Sequence, residues 1–593
     1  MTKRSLLLGA GLFLALAINA QTPMIEWQKS IGGSSCTFFK SIQPTSDGGT
    51  IVCAQICATE GDITGWHIGY DQLGDPTYDI WVAKLDPAGS LEWQKALGGT
   101  GHEAAYSVLQ TSDGGFLVLG NTWSNDGDVS GNHGYTDLWV VKLTAAGNVL
   151  WQRALGGSGG GVEGCSTVGY RTVQPFMALT SDGGCLLAGS TTSNDGDVSG
   201  AHGDREFWVV KLDPAGTIVW QRPLGGSNAD EPCVLRGTND DGAILLGYTI
   251  SSDGDVTGTH GGSDFWVVKV GPSGTMEWQK ALGGSGQDRP YDIRQSPDGG
   301  YIVGGLTNSS DGDVTGYCAE GDWWMVKLDP AGDIQWQSAI GGPGQEGTFE
   351  VLAADDGGYF AAGTTYSHNG CEVFGYHGQP NDGTGDLRVV KLGPTGTIEW
   401  QRCLGGYAPE LAYSAKLQDD GCVIAGRSAS TNGDVLGNHG NSDAWVVKLT
   451  SLGAIQWQKS LGGSDHDQTN DLLLEDDGGY IAAGEAYSND GDVTGTGWAW
   501  VVKLSSGIIG IEETLDPGFS ISPIPAMSEL QIATDRSTKN ALIILSDAIG
   551  REIKQVHMSG PLLTLNVSDL PRGMYTITRR GAGGSQAQRL VLE

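Results

Sequence analysis

A Trp-Gln pair that recurs along the chain constrains the fold more than any other feature of this sequence. The pair occurs eight times, at intervals of 57 to 69 residues, and begins at Trp27, Trp93, Trp151, Trp220, Trp278, Trp336, Trp400 and Trp457. Each unit carries the same segments in the same order, for example Ser-Asp-Gly-Gly at 181–184, Asn-Asp-Gly-Asp-Val at 194–198, Trp-Val-Val-Lys-Leu at 208–212 and Asp-Pro-Ala-Gly at 213–216. Self-similarity of this kind indicates that one supersecondary unit is repeated and that neighbouring units bury each other's apolar faces.

Each unit is predicted to contain four short strands. In the unit that ends before Gly156 they cover residues 105–111, 116–121, 138–143 and 148–155, which are rich in Val, Leu and Trp and are bounded by Gly, Asp and Pro. The Asp-Gly-Gly turns allow Asp to bond its own backbone while Gly takes a positive φ, and in Asp-Pro-Ala-Gly the Pro presets φ and the Gly ends the turn. We therefore expect antiparallel hairpins throughout and no helical period.

Four antiparallel strands per unit predict an all-β fold, an eight-bladed β-propeller. Residues 25–31 form a fourth strand without its first three, and residues 500–504 form a third strand without a fourth. We therefore expect the N-terminal strand to pair beside 500–504 and complete the last blade. A solenoid is the alternative, but it would leave this first strand unpaired and would need polar end caps.

The chain is expected to divide into four regions. Residues 1–20 carry Lys3, Arg4, an apolar run at 6–18 and a small-residue exit, which is typical of a signal peptide, and the run is shorter than the ~20 residues of a membrane span. The propeller then covers 21–507, a linker 508–518, and a small β-sandwich 519–593. No other segment is long and apolar enough to cross a membrane, so we expect an exported, soluble, monomeric protein.

Charge supports this division and excludes one class of partner. Residues 21–507 carry 60 acids and 24 bases, whereas residues 508–593 carry 9 acids and 8 bases. The net charge of the whole chain is −35. Nucleic-acid affinity comes mainly from Lys and Arg that displace counterions, so DNA and RNA are not expected partners.

The repeated Trp and Lys residues are interpreted as structural. Fifteen of the 19 Trp stand at two repeat positions, and a residue that recurs at one register in every unit is expected to pack between neighbouring units rather than bind a ligand. One Lys recurs in the Trp-Val-Val-Lys-Leu segments, and we expect it to pair with the repeated acids or to reach solvent. These residues are Lys84, Lys142, Lys211, Lys269, Lys327, Lys391, Lys448 and Lys503.

Two repeated loop motifs could carry chemistry. The Asp-Gly-Asp loops place two carboxylates two residues apart, as calcium loops do, but a turn with no ion explains the motif equally well, and the unit at 369–373 replaces it with Cys371 and Glu372. The paired acids are Asp126 and Asp128, Asp195 and Asp197, Asp253 and Asp255, Asp311 and Asp313, and Asp490 and Asp492. A Gly-x-His-Gly setting contains His133, His202, His260, His377 and His439, for which a loop-ordering hydrogen bond is expected rather than a metal ring.

The remaining chemical signals assign no site. Ten Cys can form local disulfides or buried thiols in an exported chain, and their pairing cannot be read from the sequence. Neither the spacing of Cys53 and Cys57 nor any hydrolase or nucleotide motif gives a specific match. We therefore assign no catalytic, cofactor-binding or metal-binding residue, with calcium at the Asp-Gly-Asp loops left open.

Two resemblances to known families follow from particular segments. The Lys-Leu-Asp-Pro-Ala-Gly-x-x-x-Trp run at 211–220 resembles the structural repeat of quinoprotein propellers, which implies an eight-bladed fold, although no two Cys are adjacent here. The C-terminal region resembles the type A sorting domain of the type IX secretion system, through Pro523, Pro525, residues 545–551, residues 570–575 and the terminal Arg-Leu-Val at 589–591. Ile524 departs from the family's Pro-Asn-Pro. This resemblance implies export across the outer membrane by the type IX machinery.

Two functions are therefore considered. The first is a non-enzymatic, cell-surface or secreted propeller that binds a glycan or a protein through its loops. The second is an exported propeller enzyme, a glycan hydrolase or quinoprotein-like, with a site in the central channel. An enzyme should break the symmetry of the repeat on one face, and the irregular segments 66–77, 159–175 and 379–385 are where we expect such residues. Those segments contain Tyr70, Asp71, Asp75, Glu163, Tyr170, Arg171 and Asp382.

Overall fold

The fold was analysed in a computed structural model. It describes residues 22–159, 176–378, 383–419, 421–495, 497–506, 519–522, 529–534, 541–547, 552–558, 560, 562–581 and 584–592. The predicted signal peptide and linker lie outside these residues. The chain divides into two compact units between Gly507 and Ile508.

The described residues of the first unit form eight four-stranded antiparallel sheets. Sheet 1 contains β2 (Thr37–Pro44), β3 (Thr50–Ile56), β4 (Asp79–Leu85) and β5 (Leu91–Leu97), and sheet 2 contains β6 (Glu103–Gln110), β7 (Phe116–Thr122), β8 (Asp137–Leu143) and β9 (Val149–Leu155). Sheet 3 contains β10 (Met177–Leu179), β11 (Cys185–Thr191), β12 (Glu206–Leu212) and β13 (Ile218–Leu224), and sheet 4 contains β14 (Asp230–Gly237), β15 (Ala243–Thr249), β16 (Asp264–Val270) and β17 (Met276–Leu282). Sheet 5 contains β18 (Asp288–Gln295), β19 (Tyr301–Thr307), β20 (Asp322–Leu328) and β21 (Ile334–Ile340), and sheet 6 contains β22 (Glu346–Ala353), β23 (Tyr359–Thr365), β24 (Asp386–Leu392) and β25 (Ile398–Leu404). Sheet 7 contains β26 (Glu410–Gln418), β27 (Gly421–Ser428), β28 (Asp443–Leu449) and β29 (Ile455–Leu461). Sheet 8 contains β30 (Asp467–Leu474), β31 (Tyr480–Ala486), β32 (Ala499–Leu504) and, at its outer edge, β1 (Ile25–Ile31).

The pairing of β1 with β32 confirms the predicted place of the N-terminal strand. The two strands are antiparallel, with Gln28 opposite Val502, and the indole N–H of Trp500 donates to Oε1 of Gln28 at 2.8 Å. Contacts also pass between the first strands of neighbouring sheets, for example β2 with β6, β26 with β30, and β30 with β2. Repeated four-stranded sheets in contact along their first strands are typical of a β-propeller.

The tight hairpins of all the sheets lie on one face, which we call the turn face. There each repeated Lys pairs with an acid of its own sheet's Asp-Gly-Gly-type turn, at 2.6 to 3.2 Å. Lys327 illustrates the arrangement, since its ammonium is buried, contacts Asp298 and also donates to the carbonyl of Leu328. The expectation that these Lys pair with repeated acids is confirmed. A buried ammonium needs an acid or another acceptor as its partner, which explains why the Lys recurs with its acid.

The repeated Trp side chains pack as expected. Those of the third strands are fully buried, and their indole N–H donates to the Gln of the adjacent fourth strand at 2.7 to 2.8 Å. Seven of the fourth-strand Trp donate to a carbonyl in the hairpin of the next sheet at 2.7 to 3.2 Å, including Trp27 of sheet 8 to Pro87 of sheet 1. Gly89 lies under Trp27, where a Cβ would be 2.5 Å from the ring. The Trp residues therefore join neighbouring sheets.

The second unit contains two antiparallel sheets. One has the order β33 (Phe519–Ser522), β34 (Glu529–Thr534) and β37 (Leu562–Asn566), and the other has the order β36 (Glu552–Met558), β35 (Ala541–Asp547), β38 (Gly573–Gly581) and β39 (Gly584–Leu592). Ile532, Ile543, Leu565 and Ile577 from both sheets share one core, as a sandwich requires. The sequence predicts six of these strands, at 519–522, 529–533, 541–546, 562–566, 574–579 and 588–592, and misses β36.

Candidate functional site

The face opposite the hairpins, which we call the loop face, carries the repeated Asp-Gly-Asp loops. The first Asp of each loop accepts a backbone N–H from the segment that leaves the preceding sheet, at 2.7 to 2.8 Å, as Asp126 does from Thr100. The Gly takes a positive φ, 66° at Gly127, which explains its presence in the motif. These carboxylates therefore join one sheet to the next.

The repeated His residues also connect neighbouring loops. Nδ1 of His133 lies 2.8 Å from Asp137 Oδ2 of its own sheet, and its Nε2 lies 3.8 Å from Asp197 of the next sheet. His377 and His439 make the same first contact at 2.8 and 2.6 Å. The loop-ordering hydrogen bond expected from the sequence is present at these three His residues, whereas the rings of His202 and His260 lie 3.4 and 3.5 Å from Glu206 and Asp264. His67, which the repeat pattern did not reveal, occupies the same place in sheet 1.

The loop motifs do not assemble a metal centre in the part of the chain that is described, where no group of three or more His, Cys, Asp or Glu side chains is placed to hold an ion. The acids of the calcium interpretation are engaged with backbone N–H groups and His instead. Calcium binding at these loops stays an untested prediction.

A disulfide replaces the His–Asp contact between sheets 5 and 6. Cys318 stands at the repeat position of His133, and its N–H donates to Asp322 as that of His133 does to Asp137. It is bonded to Cys371, which stands where the other loops have the Gly of Asp-Gly-Asp. The loss of the motif at 369–373 is therefore accounted for by a covalent link at the same junction. A second disulfide joins Cys36 and Cys57, and Cys53, Cys185, Cys403 and Cys422 are buried thiols.

Buried carboxyl groups recur where the loop face meets the core. The third strands of sheets 1 to 7 begin with a buried acid, and one oxygen of each has no hydrogen-bond partner among the described residues. These acids are Asp79, Asp137, Glu206, Asp264, Asp322, Asp386 and Asp443. A second buried acid begins most of the following first strands. A Cβ at Gly98 would lie 2.5 Å from both Asp79 Oδ1 and Glu103 Oε2, so Gly is required between the two groups.

Burial raises the pKa of several of these groups. The pKa is about 6 for Asp79, Asp230 and Asp264 and about 7 for Glu103 and Asp322, because desolvation disfavours the charged form more than nearby donors stabilise it. The turn-face acids behave in the opposite way, and hydrogen bonds and Lys lower the pKa of Asp47 and Asp240 to about 2 against the effect of desolvation.

We predict that the protein is more stable at about pH 5 than at pH 7.5. The buried carboxyls have a higher pKa in the folded than in the unfolded chain, so the folded state binds more protons between about pH 4 and pH 7. The free energy of unfolding therefore falls as the pH rises through that range. Below about pH 4 the turn-face acids reverse the trend, because their pKa is lower in the folded state. Melting temperatures from pH 3 to pH 8 measure this, and Asp264→Asn should flatten the profile. A melting temperature that increases from pH 5 to pH 7.5 would contradict the prediction.

Of the irregular segments named from the sequence, 66–77 lies within the described residues and forms a local turn. Asp71 accepts hydrogen bonds from the N–H groups of Leu73 and Asp75, and Tyr70 is 64% exposed on the same loop. Glu163, Tyr170, Arg171 and Asp382 lie outside the described residues.

A pocket on the loop face between sheets 7 and 8 departs from the repeat instead. Its volume is about 410 Å³, and it is lined by Arg427, Ser442, Asp465, His466, Asp467, Gln468, Glu485 and Tyr487. Arg427 and Glu485 stand at equivalent positions, second from the end of β27 and β31. The other sheets carry Gln55, Asn121, Ser190, Tyr248, Leu306 and Thr364 at this position.

Two side chains hold Glu485 in place. Its Oε2 accepts the hydroxyl of Tyr487 at 3.1 Å and the amide of Gln468 at 3.4 Å. Burial raises the pKa of Glu485, against the influence of Tyr487 and Lys40. The opposite strand position is Ala499, and Arg427 likewise faces Ala444, whereas sheets 2 to 5 have Leu138, Phe207, Phe265 and Trp323 there. The two sheets that border the pocket thus have Ala at the position where sheets 2 to 5 have a large side chain.

Aromatic side chains mark the same rim. The residues that directly follow the second strands include Trp123, Tyr366 and Tyr487, which are 42%, 38% and 39% exposed. At sheets 1 and 2, Tyr78 stacks on His102 with ring centres 5.5 Å apart, and His102 contacts Trp123 edge-on at 6.4 Å. The loop face thus presents rings with exposed faces beside a polar pocket.

Residues 520–593 match the family model of the secretion system C-terminal sorting domain. No curated protein sequence matches the chain significantly. Among solved structures, PorZ, a surface component of the type IX secretion system of Porphyromonas gingivalis, is 11% identical and covers 94% of this chain and 82% of its own, with a TM-score of 0.25. An ulvan lyase is 9% identical (74% and 97% covered, TM-score 0.37), and an α-L-arabinofuranosidase of Fusarium graminearum is 12% identical (67% and 91% covered, TM-score 0.31).

The fold and the matched region define an exported, all-β repeat protein whose four-stranded sheets are like those of a β-propeller. Its C-terminal region is a sorting domain of the type IX secretion system, and this domain directs the chain to the cell surface or the medium. No helix in the part of the chain that is described is long and apolar enough to cross a membrane.

Proposed function

We propose that this chain is a closed eight-bladed propeller that acts outside the cell as a non-enzymatic binding protein for a glycan or a protein. In this proposal residues 1–20 are a signal peptide, 21–507 the propeller, 508–518 a linker and 519–593 the sorting domain that the type IX machinery recognises. Contact of sheet 8 with sheet 1, through β30 and β2 and through Trp27 and Pro87, supports closure. The mature protein would act as a monomer.

The observation that carries the binding role is the contrast between repeated and unrepeated polar residues on the loop face. The repeated Asp and His side chains of this face contact neighbouring sheets, as Asp126 and His133 do. Arg427 and Glu485 differ from the residues that the other sheets carry at the equivalent position, and they line one pocket together with His466 and Tyr487. A concave site with a few polar groups and aromatic faces is what a carbohydrate or peptide needs for recognition.

A hydrolase is the second candidate, and the raised pKa of Glu485 is what favours it. A general acid that protonates a glycosidic oxygen needs such a pKa. Hydrolysis also needs a second carboxylate. Asp465 and Asp467 also line the pocket, and Oδ2 of Asp467 already accepts Gly463 N–H and Ser488 Oγ–H at 2.8 and 2.6 Å. We therefore favour binding without turnover.

Binding is tested with the mature full-length chain on a glycan array and a panel of extracellular proteins. We expect Tyr487→Ala to weaken any binding that is found by about tenfold or more, because the ring contributes contact area and its hydroxyl orients Glu485. Tyr135→Ala is the matched control, since Tyr135 is 75% exposed and does not line the pocket. Absence of any ligand, or equal loss in both variants, would count against the proposal. Release of reducing ends from a bound glycan, abolished by Glu485→Gln, would support the enzyme.

A further inference from the structure

We propose that the pocket between sheets 7 and 8 binds an acidic sugar of the uronate class, with its carboxylate held by Arg427. This inference rests on the proposed glycan-binding function and names the chemistry of its ligand. Arg427 lines the pocket and is partly buried. No hydrogen bond or ion pair of its guanidinium is found among the residues described.

Among the described residues of this unit, every other Arg side chain makes at least one hydrogen bond. Arg205 pairs with Glu231 at 2.5 Å, Arg236 pairs with Asp292 at 2.6 Å, and Lys416 contacts Asp471 at 3.4 Å. Arg427 is only partly buried, so water can solvate its guanidinium in the empty pocket, and a carboxylate ligand would replace that water with a charged acceptor. Arg427 therefore has no hydrogen-bond acceptor among the described residues, and the carboxylate of a ligand would provide one.

The pocket's own acids do not meet this need, because other donors already engage them. Asp467 accepts from Gly463 and Ser488, Asp465 Oδ1 accepts the His466 N–H at 2.9 Å, and Glu485 accepts from Tyr487 and Gln468. Lys40 lies near Glu485 and offsets its charge. Hydrogen bonds do not neutralise these carboxylates, so an anionic ligand would meet their charge as well, and its binding depends on direct contact with the guanidinium of Arg427.

The rest of the pocket suits a sugar that carries this anion. Arg427 lies close enough to the phenols of Tyr366 and Tyr413 to influence their ionisation. The partly exposed ring of Tyr487 can cover the apolar face of a pyranose, while Ser442 and His466, joined at 3.0 Å, offer hydroxyl-binding groups. The planar fork of Arg matches a carboxylate with two parallel hydrogen bonds.

The test compares a glucuronate-containing oligosaccharide, its carboxyl-reduced counterpart and a sulfated neutral oligosaccharide, each titrated calorimetrically into the mature full-length chain. We expect the uronate to bind at least tenfold more tightly than the carboxyl-reduced form. Arg427→Gln should remove this preference, so that the acidic and carboxyl-reduced forms bind equally well, and Arg427→Lys should retain part of it. Arg289→Gln is the matched control. Arg289 is an exposed Arg near the start of β18, and its substitution changes the net charge equally.

The outcomes separate the two levels of the proposal. Equal binding of the acidic and neutral forms, or a preference that survives in Arg427→Gln, would overturn the role of Arg427 while leaving a glycan-binding propeller intact. Tighter binding of the sulfated sugar than of the uronate would overturn the carboxylate assignment. No binding of any of the three would overturn both the inference and the proposed glycan function. The melting temperature of Arg427→Gln should match or exceed that of the parent, since the substitution breaks no hydrogen bond, and a clear decrease would reveal a structural role instead.

Discussion

A chain that lacks residues 520–593 is expected to be missing from the cell surface and from the medium, and to accumulate inside the cell envelope. The sorting domain is the part of the molecule that the secretion system recognises, and the remaining chain contains no second copy of its segments. We expect an essentially complete loss of export, measured by immunoblots of surface, medium and periplasmic fractions from a bacterium with an active type IX system.

The control for this experiment is Tyr487→Ala in the full chain, which alters the pocket and should be exported normally. The truncated body should still fold, because its sheets and cores lie before Gly507 and the two units have separate cores. A protease-resistant body in the periplasm would show this. Truncated protein on the surface in amounts similar to the full chain would contradict the assigned role of the C-terminal region.

Deletion of residues 25–31 is expected to cause the largest loss of stability of any change of this size. It removes buried Ile31, the Gln28 partner of Trp500 and the contact of Trp27 with sheet 1, and it exposes β32 as a sheet edge. Loss of a buried Ile costs about 2–5 kcal/mol, and each lost hydrogen bond costs about 1 kcal/mol, so we expect at least about 5 kcal/mol in total. Chemical unfolding measures this, and aggregation should increase.

A synthetic peptide of residues 22–33 provides the complement to this deletion. Added in excess, it should raise the melting temperature of the deleted chain, because binding to the folded state alone stabilises that state. A peptide with the same composition in scrambled order is the control. If the deletion lowers the melting temperature by no more than a degree or two, β1 is not an essential part of sheet 8.

Much of the fold could be predicted because turn chemistry and strand composition agree in every unit. Asp-Gly-Gly and Asp-Pro-Ala-Gly fix where hairpins lie, so predicted strands such as 138–143 end within two residues of the observed ones. The pairing of β1 with β32 followed from counting strands. Strand β36 was missed because Glu552, Lys554 and His557 interrupt its apolar pattern, which an edge strand tolerates.

The candidate site could not be located in the same way. Arg427 and Glu485 are 58 positions apart in the sequence, and each is an ordinary polar residue in its own strand. Their equivalence appears only when the second strands of the eight sheets are aligned, and the other sheets carry different side chains at that position. The same holds for Cys318 and Cys371, whose relationship emerges when one is seen at a His position and the other at a Gly position. We expected site residues in the irregular loops because an insertion can be recognised in a sequence, whereas a functional substitution within a repeat does not stand out.

The position of β32 has a mechanical consequence. Any tension applied to the body through its C-terminal region would enter at a strand that is hydrogen-bonded on both sides, to β31 and to β1. The load would therefore be shared with β1, which lies near the other end of the chain. Through the hydrogen bond of Trp27 to Pro87 it would also be shared with sheet 1. A protein held by its tail in flowing fluid would resist unravelling at the point where the pull arrives.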